Sequence, residues 1–242
     1  MNIFWNTIAN YNLATWIYQI IFITVGILLT LLLIYKPSRI IKTGMKIYLT
    51  TTYLWISLIY YYIFCAERSY NIAMVLYWGI MAIIWLWDTI SGYTTFESTG
   101  KHRLLSIILL ILPFIYPIFS LARGMSFPAM TSPVMPCSVA VFTLGLMLMF
   151  SRKINMFIVL FLCHWSFIGV SKTYSFDIPE DFLLSGATIP ALYFFLKDFF
   201  LKQSSSDTKP QGKYINLLLL LVCSILATAL IVALGMEIKL NP

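Results

Sequence analysis

Charge is what this chain has least of. Asp, Glu, Lys and Arg make up 10% of its 242 residues, against about 25% in ordinary soluble domains. Histidine occurs twice and cysteine four times. Cys65, Cys137, Cys163 and Cys223 show no CxxC spacing, so neither a disulfide framework nor a zinc knuckle is indicated. Walker-type phosphate loops, HExxH, GxSxG and DxD-like carboxylate pairs are all missing. These absences argue against a familiar soluble catalytic domain, and no cofactor is expected. The start, MNIFWNTIANYNLATW, lacks a basic leader and runs straight into a long apolar span, so the first helix is expected to be retained.

What the chain has instead is apolar length. Hydrophobic residues reach 60% and mean hydropathy is +0.88. A water-soluble domain of this size could not hide so much apolar surface, whereas a bilayer asks for segments of about 20 such residues. The expectation is an all-α, polytopic transmembrane helical bundle forming one domain over 1–242. Eight spans are expected, at Ala14–Tyr35, Ile47–Cys65, Ile72–Trp87, Leu104–Ala122, Met135–Phe150, Ile154–Val170, Phe182–Leu196 and Tyr214–Leu234. A polar Ser/Lys stretch at 202–213 is read as a flexible inner loop.

The sparse charges orient this bundle. With the N-terminus outside, twelve basic residues fall on the inner side: Lys36, Arg39, Lys42, Lys46, Lys101, Arg103, Arg152, Lys153, Lys197, Lys202, Lys209 and Lys213. Arg68, Arg123, Lys172 and Lys239 are left outside. The positive-inside rule therefore predicts eight helices with both termini outside, and the inner (cytoplasmic) membrane of the cell is the expected location. The net charge of +7 is spread over short inner loops rather than concentrated in a stripe, which excludes a nucleic-acid role.

Four places carry candidate chemistry. Asn12, Trp16 and Gln19 lie at the entry to the first helix, and an amide in hydrocarbon needs a partner or a wet cavity. The outer segment RGMSFPAMTSPVMPC holds Pro128, Pro133 and Pro136 and is expected either to cap the bundle or to dip below the surface and line a cavity. His164, in FLCHWSFIG beside Cys163 and Trp165, falls near mid-span, and its hydrogen-bond partner is expected from another helix. Asp88 closes the third span as a solvated interfacial acid or a gate to an inner vestibule, and Asp181 caps the seventh. Met135, Cys137 and His164 could offer soft metal ligands, though no tight spacing emerges. Pro113, Pro117 and Pro190 can kink their helices.

Several of these stretches resemble a known family. YNLATWIYQ, YNIA at 70–73, PCSVAVFTLGLMLM at 136–149, and HWSFIGVS followed by IPEDFLL are similar to bacterial multi-pass membrane proteins grouped as a domain of unknown function. The family pattern reads YNxxxWPxQ, INxAA, PCPxxxFTxGLL and LWSxIGG. Here Ile17 stands where proline is usual, Ser138 replaces the second proline, and His164 precedes Trp165 where an apolar residue is usual. The resemblance implies a helical bundle and draws weight toward Asn12, Gln19, Cys137 and Thr143. It implies no activity.

The sequence thus predicts a channel or transporter for a small solute or ion, with Asn12, Trp16, Gln19, Asp88, Cys137, Thr143, His164 and Trp165 as pathway residues. The alternatives are an accessory or assembly subunit acting through partner membrane proteins or as a homo-oligomer, and a metal-handling or membrane-embedded enzyme.

Overall fold

A computed structural model describes residues 2–67, 71–98, 102–150, 153–176 and 181–201. Every regular element among them is a helix. In order these are α1 (Asn2–Tyr35), α2 (Arg39–Trp55) running on as a π-helical stretch (Ile56–Phe64), α3 (Asn71–Ser91), α4 (Arg103–Ala122), α5 (Pro136–Phe150), α6 (Met156–Phe176) and α7 (Asp181–Phe195), which also ends in π-helix (Leu196–Leu201). The predicted eighth span, 214–234, lies outside the described residues. The chain divides into two compact units, 1–154 and 155–242.

Local chemistry explains the boundaries. The first proline is Pro37 and the first glycine Gly26, so nothing interrupts α1 before Tyr35. There the helix meets Pro37, whose ring disfavours helical backbone just before it. Ser38 then caps α2, its Oγ accepting from Ile41 N at 3.3 Å. Pro136 opens α5, a position where a missing N–H costs nothing. Pro113 and Pro117 sit inside α4.

The structure corrects two expectations here. α1 begins at Asn2, not Ala14, because Asn6, Asn10 and their neighbours are polar without being helix breakers. Lys46, expected in an inner loop with Lys42, lies inside α2 with 6% of its surface exposed.

Among the described residues four segments are long and apolar enough to cross a membrane: Phe4–Tyr35, Arg39–Phe64, Asn71–Ser91 and Arg103–Ala122. α5 has 15 residues, about 22 Å at the standard rise. In the first unit these helices close on an aromatic core in which Tyr11, Tyr53, Trp78, Trp85 and Tyr116 are buried, with Trp78 stacked on Tyr53 at 5.3 Å. α4 and α5 approach closely at Gly145. A Cβ there would come within 2.9 Å of Leu109 Cβ and 3.0 Å of the Leu110 backbone nitrogen. In the second unit α6 packs on α7 through small polar residues. Ser166 and Thr188 share a 2.8 Å hydrogen bond, and Ser185 Oγ donates to the Ser166 carbonyl at 2.8 Å. Hydroxyl groups and close backbone approach are the usual means of holding helices together in lipid, where apolar contact alone gives no preference.

Candidate functional site

α1 carries a polar ladder at Asn12, Thr15 and Gln19, spaced so that all three share one face. The proline-rich segment 124–135 lies against it. Asn12 Nδ2 donates to the carbonyls of Pro128 and Met130, each at 2.8 Å. Gln19 Nε2 donates to Asn12 Oδ1 at 3.1 Å and to Thr15 Oγ1 at 2.9 Å. Ser132 Oγ donates to Gln19 Oε1, and Ser138 Oγ donates to the Ser132 carbonyl at 2.9 Å. An amide nitrogen has two hydrogens to give, so all four side-chain N–H groups of Asn12 and Gln19 are engaged. At the residue before Asn12, Trp55 Nε1 donates to Tyr11 Oη at 3.0 Å, and Tyr11 Oη donates to the Val134 carbonyl at 3.3 Å.

The loop lies along α1. Pro133 and Val134 share the lining of a crevice with Ile23, Gly26 and Ile27 of α1, Tyr48 of α2, Pro113 and Phe114 of α4 and Phe142 of α5. From Asn12 to Gly26 is 14 residues, about 21 Å along α1. The peptide bond preceding Pro128 is cis. Ser120, near the end of α4, holds the loop from the other side through a 2.8 Å hydroxyl pair with Thr131.

A second polar cluster is ionic. Lys46 Nζ lies 2.7 Å from Asp88 Oδ1 and donates to the Asp88 carbonyl at 3.1 Å. Thr94 completes the carboxylate, its Oγ1 donating to Oδ2 at 2.6 Å and its backbone N–H to Oδ1 at 3.1 Å. Asp88 is 0% exposed, so the solvated interfacial acid is corrected to a buried, fully bonded ion pair. A carboxylate cannot remain in such a place without this set of donors.

The remaining predicted residues separate. Thr143 is buried in α5, accepting from Tyr53 Oη at 2.9 Å and donating to the Val139 carbonyl at 2.8 Å. Trp16 faces outward, 50% exposed. Cys137 is half-buried in the first turn of α5, and Met135, two residues earlier, is buried. In the second unit Trp165 is buried, and His164 Nδ1 lies 2.6 Å from the Leu160 carbonyl. A carbonyl only accepts, so Nδ1 carries the proton. The partner expected from another helix is corrected to the residue four back on α6 itself, within reach of the ring. Among the described residues no three His, Cys, Asp or Glu side chains gather as a metal set.

Sequence reasoning missed Lys46, Thr94, Ser132 and Tyr53. Lys46 carried a signal, since a lysine inside an otherwise apolar helix needs a carboxylate and Asp88 is the acid that closes the next helix. The hydroxyl partners carried none.

These features define a class: a protein whose described residues are helical, four of the helices apolar and of membrane-spanning length, with polar clusters tied off between them. The chain belongs to DUF6064, a family of unknown function, which matches residues 1–206. No curated protein and no solved structure matches it.

Proposed function

We propose that the protein is a multi-pass component of a bacterial cytoplasmic membrane, eight helices with both termini outside, and that it serves as a membrane subunit acting through partner proteins. The observation that carries this reading is the engagement of every Asn12 and Gln19 side-chain N–H within the protein. Groups placed to meet a polar solute are here used to hold a loop, which is the work of a scaffold. The exposed apolar length of α1, including Leu13, Trp16, Ile17, Ile20 and Ile21, leaves a face for a neighbouring helix.

A second reading, a carrier seen closed, is favoured by one specific feature. The loop is latched by exchangeable hydrogen bonds above a crevice whose far wall includes the proline-bearing α4. Reconstitution separates the two. A subunit leaves proteoliposome permeability to neutral solutes and salts at the level of empty vesicles, while a photo-crosslinker at Trp16 or Ile20 gives one discrete adduct in the native membrane. Solute-dependent swelling that changes on Asn12→Leu overturns the subunit reading and establishes the carrier.

A further inference from the structure

Of the four apolar helices of membrane-spanning length among the described residues, α1 is the least covered. In its apolar stretch 17% of residues are buried, against 39%, 39% and 33% in the other three. The residues it does bury, among them Tyr11, Thr15, Gln19, Gly26 and Thr30, share one side of the helix. On the opposite side Ala14, Ile17, Ile21, Thr24, Leu28 and Leu31 are all exposed, and they follow one another at alternating intervals of three and four residues. That alternation is the seam along which two helices pack at a left-handed crossing of about 20°.

The seam has a polar centre. Thr24 is twelve residues from Asn12 and twelve from Lys36, about 18 Å from each along the helix, so its hydroxyl falls in the middle of the apolar run. Thr15 and Thr30 of α1 donate to the carbonyls of Tyr11 and Gly26, four residues back, and the exposed Thr51 of α2 donates to that of Ile47 in the same way. Thr24, also exposed, makes no hydrogen bond among the described residues. A hydroxyl left unbonded in hydrocarbon is costly, and the usual remedy is a bond across to another helix.

We propose that this seam binds a second copy of the chain, α1 against α1 about a two-fold axis normal to the membrane, with the two Thr24 hydroxyls bonded to each other. Depth and chemistry both select a second copy. Copies inserted in the same sense carry Thr24 at the same level, and a hydroxyl both donates and accepts, so the pair is self-complementary. Ile17, Ile21 and Leu28 are 54%, 54% and 53% exposed. Two such seams in contact bury on the order of 1,000 Å² together, about what a specific interface needs. The flank of α1 at Trp16 and Ile20 stays open to another protein. The proposal rests on the membrane insertion in the subunit reading and on nothing else in it, and purified protein in lipid tests it with no partner present.

The test is a cysteine scan of the full chain in a Cys137→Ser, Cys223→Ser background, where the remaining Cys65 and Cys163 are buried. The protein is reconstituted in phosphatidylcholine vesicles and oxidised with copper–phenanthroline. Disulfide-linked dimers should form several-fold more at Ile17→Cys, Ile21→Cys and Leu28→Cys than at Trp16→Cys, Ile20→Cys and Ile27→Cys. Energy transfer between labelled chains, followed as they are diluted in lipid, measures the dimer without cross-linking. Thr24→Val should weaken it about threefold, the equivalent of one hydrogen bond between membrane helices, with melting in detergent unchanged. Thr24→Ser keeps the hydroxyl and should keep the dimer. Monomers alone in lipid, or equal disulfide yields on seam and flank, overturn the proposal. A dimer that Thr24→Val leaves undiminished overturns it too, since the hydroxyl pair is what singles out a second copy. If the photo-crosslinker at Trp16 finds another protein while the seam yields no disulfide, the subunit reading stands and this proposal falls.

Discussion

The two polar clusters of the first unit solve the same problem with different materials. Near the start of α1, neutral amides and hydroxyls hold a loop in a network of six hydrogen bonds, three of them between α1 and the loop and none of them charged. Near the start of α2, one lysine and one aspartate do the work of joining two helices, with Thr94 as the only other side chain. A neutral network distributes its energy, and losing one member leaves small debts. An ion pair concentrates it, and losing one member leaves a bare charge in a place without water.

The sharpest way to break this comparison is Asp88→Ala. Lys46 then remains buried with no counter-charge, and the expected loss is about 3–5 kcal/mol, read as a large drop in melting temperature in detergent. The double change Lys46→Leu with Asp88→Leu should recover most of that loss. If the single and double variants melt alike, the pair is not electrostatically coupled as described.

Next comes the neutral cluster. Asn12→Leu removes two donors and one acceptor. At roughly 0.6 kcal/mol per hydrogen bond between membrane helices, the expected cost is about 2 kcal/mol. The effect should be local: in a Cys223→Ser background, maleimide labelling of half-buried Cys137 should rise by about tenfold while Cys65 and Cys163 stay protected. Uniform acceleration at all three thiols would mean that the loop and the bundle open together.

The smallest effect is expected in the second unit. His164→Phe removes one hydrogen bond to the carbonyl of its own helix, so melting should shift by less than about 0.5 kcal/mol equivalent. A larger shift would reveal a duty for the ring beyond that contact.

These residues also mark how much was legible in advance. α4 and α5 start and stop within a residue of expectation because Arg103, Arg123 and Pro136 stand at their ends, and charge and proline are strong punctuation. The start of α1 was not legible, since Asn6 and Asn10 look like surface but nothing in them stops a helix that continues beyond the apolar zone. Gln19 was singled out as an amide that needs a partner, and Asn12 as a pathway residue. That their partners are the carbonyls of Pro128 and Met130 and the hydroxyl of Ser132 depends on contacts more than 110 residues apart, and no local pattern encodes such a pairing. Asp88 was misplaced for the same reason, its lysine being 42 residues earlier.

That separation has a consequence in time. Asn12 is made early in synthesis, and Met130 follows 118 residues later. At about 5–20 residues per second, the amide waits roughly 6–24 seconds for the carbonyl that will bind it. The helix carries its own provision for the interval. Gln19 can bond to Thr15 and Asn12 as soon as α1 exists, so the ladder shelters its polar groups against each other until the last-made piece of the clamp arrives.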